Sequence, residues 1–106
     1  EAIRIDSDNA EAHYGLALVM AGRRKLDEAL VHYKKAVELR PDIDISPVLH
    51  YGLAMNYGEA RRFREAEQAA RKALELARAA GDKEFEREIE KWLNIYKELN
   101  TSVNNK

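Results

Sequence analysis

The sequence predicts an all-α fold in which helical hairpins stack on one another. The pentapeptide HYGLA at residues 13–17 recurs at residues 50–54, thirty-seven residues later. Aligned without a gap, residues 13–40 and 50–77 agree at twelve of twenty-eight positions. Between the proline and glycine breaks, apolar residues recur at helical spacing. A duplication of this length is typical of repeat arrays, whose units bury their apolar faces on one another.

The composition fits such an array and argues against several functions. Of the 106 residues, 45% are hydrophobic and 35% are charged, above the roughly 25% charged residues of average domains. The net charge of −1 and the pI near 6.4 argue against general binding to nucleic acids or anionic membranes. No apolar run approaches the roughly 20 residues of a membrane span. Cysteine is absent, so disulfides are excluded, and the lack of a visible targeting signal leaves the compartment open with a slight preference for the cytoplasm.

Residues 1–8 are interpreted as the remnant of a preceding repeat. Ala2, Ile5 and Asp8 stand thirty-four residues before residues of the same kind near the end of the first predicted repeat, namely Ala36, Leu39 and Asp42. An irregular tail is the alternative interpretation. Because the chain opens on Glu1 rather than on methionine, we expect it to be a piece of a longer protein.

The first repeat is predicted over residues 9–42. Its first helix is expected to start near Asn9, with Asp8 as cap and Glu11 completing a capping box, and to end around residues 22–24. Its apolar positions are Ala12, Leu16, Val19 and Met20. The second helix should span about 27–39 and end before Pro41. Its predicted inward stripe comprises Leu26, Ala29, Leu30, Tyr33, Ala36, Val37 and Leu39.

The second repeat is predicted over residues 46–80, after a connector at 41–46. Ser46 should cap its first helix, with Pro47 at the first helical position and an end near Glu59. The inward residues of that helix are Leu53, Ala54 and Tyr57. The next helix should span about 64–80 and end at Gly81. Its stripe comprises Ala66, Ala70, Ala73, Leu74 and Leu76.

A capping helix is predicted over residues 82–99, opened by Asp82. It has one apolar face and one charged face, as the end of a helical array requires to stay soluble. The apolar face comprises Phe85, Ile89, Trp92, Leu93, Tyr96 and Leu99. Residues 100–106 are polar and are expected to form a disordered tail.

The ordered positions of the two hairpins resemble the tetratricopeptide repeat (TPR). Leu16-Ala17 and Leu53-Ala54 match its leucine followed by a small residue. Further matching positions are Leu26, Phe63, Ala29, Ala66, Tyr33, Ala36, Ala73 and Pro41, whereas His13, His50, Met20 and Ala70 depart from the pattern. The resemblance implies an all-α, TPR-type right-handed superhelix whose first helices line a concave groove. Such grooves usually hold a peptide or helix of another protein.

The predicted peptide-binding groove combines residues from the first and third helices. They are Glu11, Tyr14, Leu18, Val48, Tyr51, Met55 and Glu59. Some TPR domains clamp a C-terminal carboxylate with lysine, asparagine and arginine, but the corresponding positions look like Tyr14, Leu18 and Gly52. An apolar, aromatic lining instead favours a hydrophobic or helical segment. Alternatively, these side chains only contact the fifth helix or a neighbouring repeat.

Gly15 and Gly52 occupy the same position in the two copies. A glycine inside a helix costs roughly 1 kcal/mol against alanine, so its recurrence requires an explanation. One hypothesis is that both glycines leave room for a ligand beside Tyr14 and Tyr51. The alternative is close helix packing, or inheritance through the duplication.

The three histidines are the first candidates for metal ligands or general acid–base catalysts. His13 and His50 hold equivalent positions, with backbones expected roughly 8–10 Å apart, which makes a shared metal difficult. No Cys, Asp or Glu stands at ligand spacing. His32 is expected on the outer surface, and the other two in packing roles. No phosphate loop, nucleophile elbow or metal signature is present, so we predict no catalytic residue, no metal site and no cofactor.

The predicted function is therefore a protein–protein interaction module or scaffold, and not an enzyme. The partner is a protein or peptide, with neither nucleic acid nor a membrane span involved. The alternative is a structural segment of a longer array that stacks or self-associates without a separate ligand. Weak homo-oligomerisation through the N-terminal face would fit that alternative.

Overall fold

The computed structural model describes the backbone of residues 2–104 and the side chains of residues 9–98. This part of the chain forms five α-helices and no β-strand, which confirms the predicted all-α class. A short 3₁₀ helix, Pro41–Ile43, lies in the connector between the second and third α-helices. The α-helices are α1 (Ala2–Gly22), α2 (Leu26–Leu39), α3 (Pro47–Glu59), α4 (Phe63–Ala80) and α5 (Lys83–Asn104).

The helices pack as two hairpins and one additional helix. Helix α1 packs on α2, α3 packs on α4, and α5 packs on α4. The two hairpins meet mainly through α1 and α3, the helices that carry the repeated pentapeptide. The molecule is elongated, with extents of 56 × 30 × 19 Å. This is the stacking that the sequence duplication predicts.

Two helix ends differ from the predictions. Helix α1 begins at Ala2 rather than near Asn9, so Asp8 lies inside the helix and is not its cap. Helix α5 continues to Asn104, so a disordered tail is wrong for residues 100–104, and residues 105–106 lie outside the described residues. Neither segment contains proline or glycine, and extending a formed helix adds one hydrogen bond per residue. The interpretation of residues 1–8 as a repeat remnant stays a prediction.

Two predicted N-caps are confirmed. The backbone N–H of Leu49 donates to Ser46 Oγ at 3.2 Å, with Pro47 at the first position of α3. The N–H of Phe85 donates to Asp82 Oδ1 at 3.1 Å ahead of α5. Each side chain satisfies an N–H that has no partner within its own helix.

Three helices end in the same Schellman motif. The residue that follows the last helical turn has a positive φ, which is 62° at Arg24, 63° at Arg61 and 73° at Gly81. In each case its N–H bonds to the carbonyl three residues back, and the next N–H bonds to the carbonyl five residues back. Glycine adopts this left-handed conformation without strain, whereas arginine does not. The sequence indicated the glycine terminator, but the two arginines perform the same function at equivalent repeat positions.

Alanine dominates the helix contacts. Ala66, Ala70, Ala73 and Ala77 are fully buried along α4, at spacings of four, three and four residues. Ala29 and Ala36 are buried in the same way on α2. Because alanine is small and the best helix former, it permits close approach of the helices. The predicted stripes of α2 and α4 therefore lie inward.

Of the predicted apolar positions of α1, only Met20 packs against the core, and the other three are exposed. Leu16 is 40% exposed and Val19 46% exposed, whereas the buried residues are Ala10, Tyr14, Ala17 and Ala21. Helix α1 is apolar on more than one side, so spacing alone does not select the side that packs. The side of α1 that carries small residues is the side that packs against α2 and against the second repeat.

Candidate binding groove

A cavity opens between the first helices of the two hairpins. It has a volume of about 380 Å³, and its walls come from α1, α3 and the start of α5. Five of the seven predicted groove residues line it: Leu18, Val48, Tyr51, Met55 and Glu59. The size falls within the range of about 300–1,000 Å³ that is typical of ligand pockets. The structure therefore brings most of the predicted site together on one surface.

The cavity wall is largely apolar and partly preorganised. Val48 is 59% exposed and Met55 43% exposed, so both present apolar side chains to solvent. The ring of Tyr51 is held by edge contacts with Phe85 at 5.3 Å and with Trp92 at 6.3 Å between centroids. Such edge-to-face contacts fix the orientation of an aromatic ring. The groove thus combines two exposed aliphatic side chains with one aromatic side chain held in place.

Phe85 belongs to the wall of the cavity. From the sequence it was predicted only to lie on the apolar face of the capping helix. It lines the cavity and contacts Tyr51, which links α5 to the groove. The alternative prediction, in which groove side chains contact the fifth helix, is therefore confirmed for Tyr51. Since the same ring also lines the cavity, contact with α5 and exposure to a ligand are not exclusive.

An ion pair stands at the polar edge of the cavity. Arg24 Nη1 lies 3.3 Å from Glu59 Oε2, and both residues line the cavity. The two side chains are 77% and 51% exposed, so solvent screens the pair and its contribution to stability is small. The pair places both a donor and an acceptor beside the apolar wall.

Tyr14 and Glu11 are not part of this surface, so the prediction is wrong for both. Tyr14 is only 7% exposed, and its hydroxyl donates to Asp44 Oδ1 at 3.3 Å. Glu11 is exposed and lies 3.7 Å from Arg40, at the opposite end of α2 from the Arg24–Glu59 pair. Tyr14 and Tyr51 are equivalent in sequence but have different neighbours. The Tyr14 hydroxyl bonds to Asp44 and Ser46 of the connector, whereas the Tyr51 ring packs against Phe85 and Trp92 of α5.

The glycines of the pentapeptide also differ in environment. A Cβ built on Gly52 would lie 3.3 Å from Ala21 Cβ, whereas one on Gly15 meets no atom of the described structure within 4 Å. Gly52 therefore permits the close approach of α3 to α1, as the packing alternative proposes. Gly52 also lines the cavity, whereas Gly15 does not.

A partly buried polar cluster joins the two hairpins. The Tyr33 hydroxyl donates to Asp44 Oδ2 at 2.6 Å, and His50 Nε2 lies 2.7 Å from Asp44 Oδ1. The backbone N–H of Ser46 donates to the Tyr14 hydroxyl at 3.1 Å. The contact between His50 and Asp44 was not predicted from the sequence, in which acidic residues were weighed against the histidines only as metal ligands. Asp44 sits in the connector, and only the tertiary fold turns it onto both hairpins.

The cluster shifts the ionisation of its members. Partial burial would raise the pKa of Asp44, but hydrogen bonds from Tyr33 and His50 outweigh it and hold the pKa below its ordinary value. Burial raises the pKa of Tyr14 to about 12, with the negative charge of Asp44 contributing. Burial and the bond to Asp44 also raise the pKa of Tyr33. The cluster is therefore a carboxylate that accepts hydrogen bonds from two tyrosine hydroxyls and the His50 ring, which suits a structural link between hairpins.

The other two histidines face each other across the first hairpin. His13 Nδ1 lies 3.0 Å from His32 Nδ1, and the ring centroids are 5.2 Å apart with planes inclined by 25°, so the two rings meet edge to edge. His32 is half-buried in this contact, so the prediction of an outer-surface position is wrong.

Within the described side chains, no group of three or more His, Cys, Asp or Glu residues is arranged to hold a metal ion. None of the helices described is long and apolar enough to cross a membrane.

Comparison with known families agrees with this architecture. Residues 10–43 and residues 48–79 each match a family description that reads tetratricopeptide repeat. The two matches together cover more than half of the chain. No curated protein and no solved structure matches the sequence. The repeated hairpins and both family matches show that this chain belongs to the tetratricopeptide repeat family.

Proposed function

We propose that this chain is a protein-interaction module whose groove, lined by Leu18, Val48, Tyr51, Met55 and Glu59, holds an apolar peptide or helix of a partner protein. Tetratricopeptide repeats generally mediate protein–protein interaction or scaffolding, and the family is typically non-enzymatic. The observation that carries the proposal is the apolar cavity of about 380 Å³ between α1 and α3.

The chemistry of the wall indicates the class of occupant. A Leu or Phe side chain that enters the cavity from water is stabilised by roughly 1.5–3 kcal/mol through burial. An amphipathic helix presents such side chains at spacings of three and four residues, which suits a groove between two helices. The exposed Arg24–Glu59 pair can exchange hydrogen bonds with polar groups that flank the apolar side chains. The proposed ligand is thus an apolar-faced segment rather than a charged C-terminal tail.

Preorganisation supports the same proposal. Tyr51 is held by Phe85 and Trp92, so a ligand that packs on its ring does not have to immobilise it. Ordering a free side chain on binding costs about 0.5–1.5 kcal/mol, and that cost is largely avoided at Tyr51. Val48 and Met55 lie on the same helix as Tyr51 and therefore keep a fixed spacing from its ring.

The two methionines provide a direct assay. With ¹³C-methyl labelling the protein should give two methionine signals, from Met55 in the groove and from Met20 packed against the core of the first hairpin. Titration with an amphipathic Leu/Phe peptide should move the Met55 signal and leave Met20 nearly unchanged. A peptide of the same composition with its apolar face scrambled should move neither. Equal shifts at both methyl groups, or none with any peptide tested, would contradict groove binding.

A matched pair of variants localises the binding surface. Val48 is 59% exposed and lines the cavity, whereas Val31 is 66% exposed on α2 and does not. Val48→Glu should weaken peptide binding by at least tenfold, because a carboxylate would be buried against the apolar ligand. Val31→Glu introduces the same charge at a similar exposure and should leave binding unchanged.

A second candidate function is stacking or self-association without a separate ligand. Leu16, Val19 and Val31 of the first hairpin are 40%, 46% and 66% exposed, which leaves apolar side chains available to another chain. In that case sedimentation equilibrium should show dimers at rising concentration, weakened by Val31→Glu and not by Val48→Glu. The two candidates therefore predict opposite effects for the same pair of variants.

A further inference from the structure

His13 and His32 form a hydrogen bond between the two helices of the first hairpin. His13 stands on α1 and His32 on α2, and their Nδ1 atoms are 3.0 Å apart. The ring centroids are 5.2 Å apart, so each nitrogen lies almost on the line between the two ring centres. A hydrogen on either nitrogen points away from its own ring and therefore at the other nitrogen, which makes the bond nearly linear.

This contact requires one hydrogen between the two nitrogens, because two lone pairs that face each other at this distance repel. A neutral imidazole carries its hydrogen on only one ring nitrogen. When both rings are neutral, one histidine must therefore carry its hydrogen on Nδ1 and donate, while the other carries it on Nε2 and accepts. The contact selects a different tautomer for each ring.

Proton uptake changes the bond in two steps of opposite sign. A first proton turns the donor ring into a cation, and a hydrogen bond from a charged donor is roughly twice as strong as a neutral one. A second proton places an N–H on both facing nitrogens, so no lone pair remains to accept and the two cations repel each other. The bond is therefore strongest when the pair holds one extra proton and is lost when it holds two.

Few charged groups surround the pair. The residues one turn before and after His13 on α1 are uncharged, namely Asn9, Ala10, Leu16 and Ala17. On α2, the charged residues one turn from His32 are Glu28 and Lys35, whose opposite charges act against each other. Within residues 9–98, the bond between the two rings is the only hydrogen bond or ion pair that either ring makes. Both rings are half-buried, so protons reach them from solvent.

The connector and α3 pack against the same hairpin and contribute a second titratable pair. Asp44 and His50 bond to each other at 2.7 Å, and Asp44 also accepts from the hydroxyls of Tyr14 and Tyr33. These groups are engaged in their own cluster, whereas the pair on α1 and α2 contains no carboxylate. The two pairs therefore respond to pH in different ways, so their contributions have to be measured separately.

We propose that His13 and His32 form a proton-dependent clasp between α1 and α2, which one proton strengthens and a second proton breaks. Histidine is the side chain that changes charge between about pH 8 and pH 5, so the clasp responds in that range. Helix α1 supplies one wall of the groove, and the clasp holds that helix on α2. The proposal needs no ligand and therefore goes beyond the binding function.

Nitrogen NMR of the ¹⁵N-labelled wild-type protein tests the bond itself. At pH 8, long-range ¹H–¹⁵N correlations should place a single hydrogen on the two Nδ1 atoms, and a scalar coupling between these atoms should be detected across the bond. His13→Ala and His32→Ala assign the signals, and each should return the remaining ring to the tautomer mixture of a free histidine. Hydrogens on Nε2 of both rings, or no coupling between the Nδ1 atoms, would overturn the proposal.

A double-mutant cycle tests the dependence on protons. Urea unfolding of the wild type, the two single alanine variants and the double variant gives the coupling between the rings at each pH. The coupling should increase from pH 8 to a maximum at about pH 6 and then decrease towards about pH 4.5. Asp44 and His50 are present in all four proteins, so their own pH dependence cancels. A coupling that is absent, constant, or still increasing at about pH 4.5 contradicts a clasp that two protons break.

Discussion

Asn56 Nδ2 donates a 2.9 Å hydrogen bond to the backbone carbonyl of Ala21, thirty-five residues earlier in the chain. It also donates at 2.7 Å to the carbonyl of Gly52, one turn back in its own helix. Asn56 is 5% exposed, so both bonds form away from water. This side chain ties the C-terminal end of α1 to the middle of α3 and thereby fixes one wall of the groove.

Replacing Asn56 tests that link. Asn56→Ala should lower the free energy of unfolding by about 1–3 kcal/mol, because a buried carbonyl loses a donor. Asn56→Asp should be more damaging at neutral pH, since its carboxylate would face two carbonyl oxygens, and should recover partly in acid when the carboxyl can donate. Urea unfolding at pH 7 and at pH 4 measures both effects. An alanine variant as stable as wild type would show that the hydrogen bond from Asn56 to Ala21 does not contribute to stability.

The Asp44 cluster predicts a pH-dependent contribution to stability. Because the folded-state pKa of Asp44 lies below its ordinary value, its contribution is present above about pH 4 and is lost as the pH falls through the lowered folded pKa. Asp44→Asn should therefore reduce the free energy of unfolding by about 1–3 kcal/mol at pH 7. The difference from wild type should shrink below pH 4, as measured by urea unfolding across the pH range.

Asp42 is the control for that experiment. It lies two residues away in the same connector, but its side chain is 77% exposed and pairs with Arg40 rather than with the cluster. Asp42→Asn should leave the unfolding midpoint close to that of wild type. If the two variants behaved alike, the effect would belong to the connector's charge and not to the cluster.

The Schellman motifs predict a stabilising substitution. Arg61 adopts a φ of 63°, and this left-handed conformation costs about 1–2 kcal/mol for a residue with a side chain. Arg61→Gly should raise the free energy of unfolding by about 0.5–1 kcal/mol, after the greater chain entropy of glycine in the unfolded state is subtracted. Gly81→Ala, at the equivalent position after α4, should lower it by about 1 kcal/mol. Thermal and urea unfolding check both signs, and a destabilised Arg61→Gly variant would contradict the argument.

The two glycines of the pentapeptide should respond differently to alanine. Gly15→Ala should be stabilising by about 0.5–1 kcal/mol, because the new methyl group meets no described atom within 4 Å and alanine favours the helix. At Gly52 the methyl group would lie 3.3 Å from Ala21 Cβ, which is fixed to the backbone of α1 and can yield only if the helices separate. Gly52→Ala should therefore be less stabilising, or destabilising. Equal gains at both positions would show that α1 and α3 are not in close contact.

The sequence by itself determined the helices and their order. Repeated apolar spacing, Ser46 with Pro47, and Gly81 with Asp82 act over distances of a few residues, so they could be read without coordinates. The predicted start of α1 and the predicted end of α5 were wrong, because no proline or glycine marks either helix terminus. Five of the seven residues predicted from the sequence for the groove line one cavity, since positions on one helix face keep their register in each copy.

Only the tertiary structure decided what each repeated position contacts. Tyr14 and Tyr51 are identical in local sequence, yet one is buried and bonds to Asp44, and the other lines the cavity with Phe85. His13 pairs with His32, whereas its repeat equivalent His50 pairs with Asp44. These partners lie up to thirty-four residues apart and meet through helix packing. A duplicated sequence specifies the same local helix twice, but the two copies have different neighbours, and those neighbours set burial and charge.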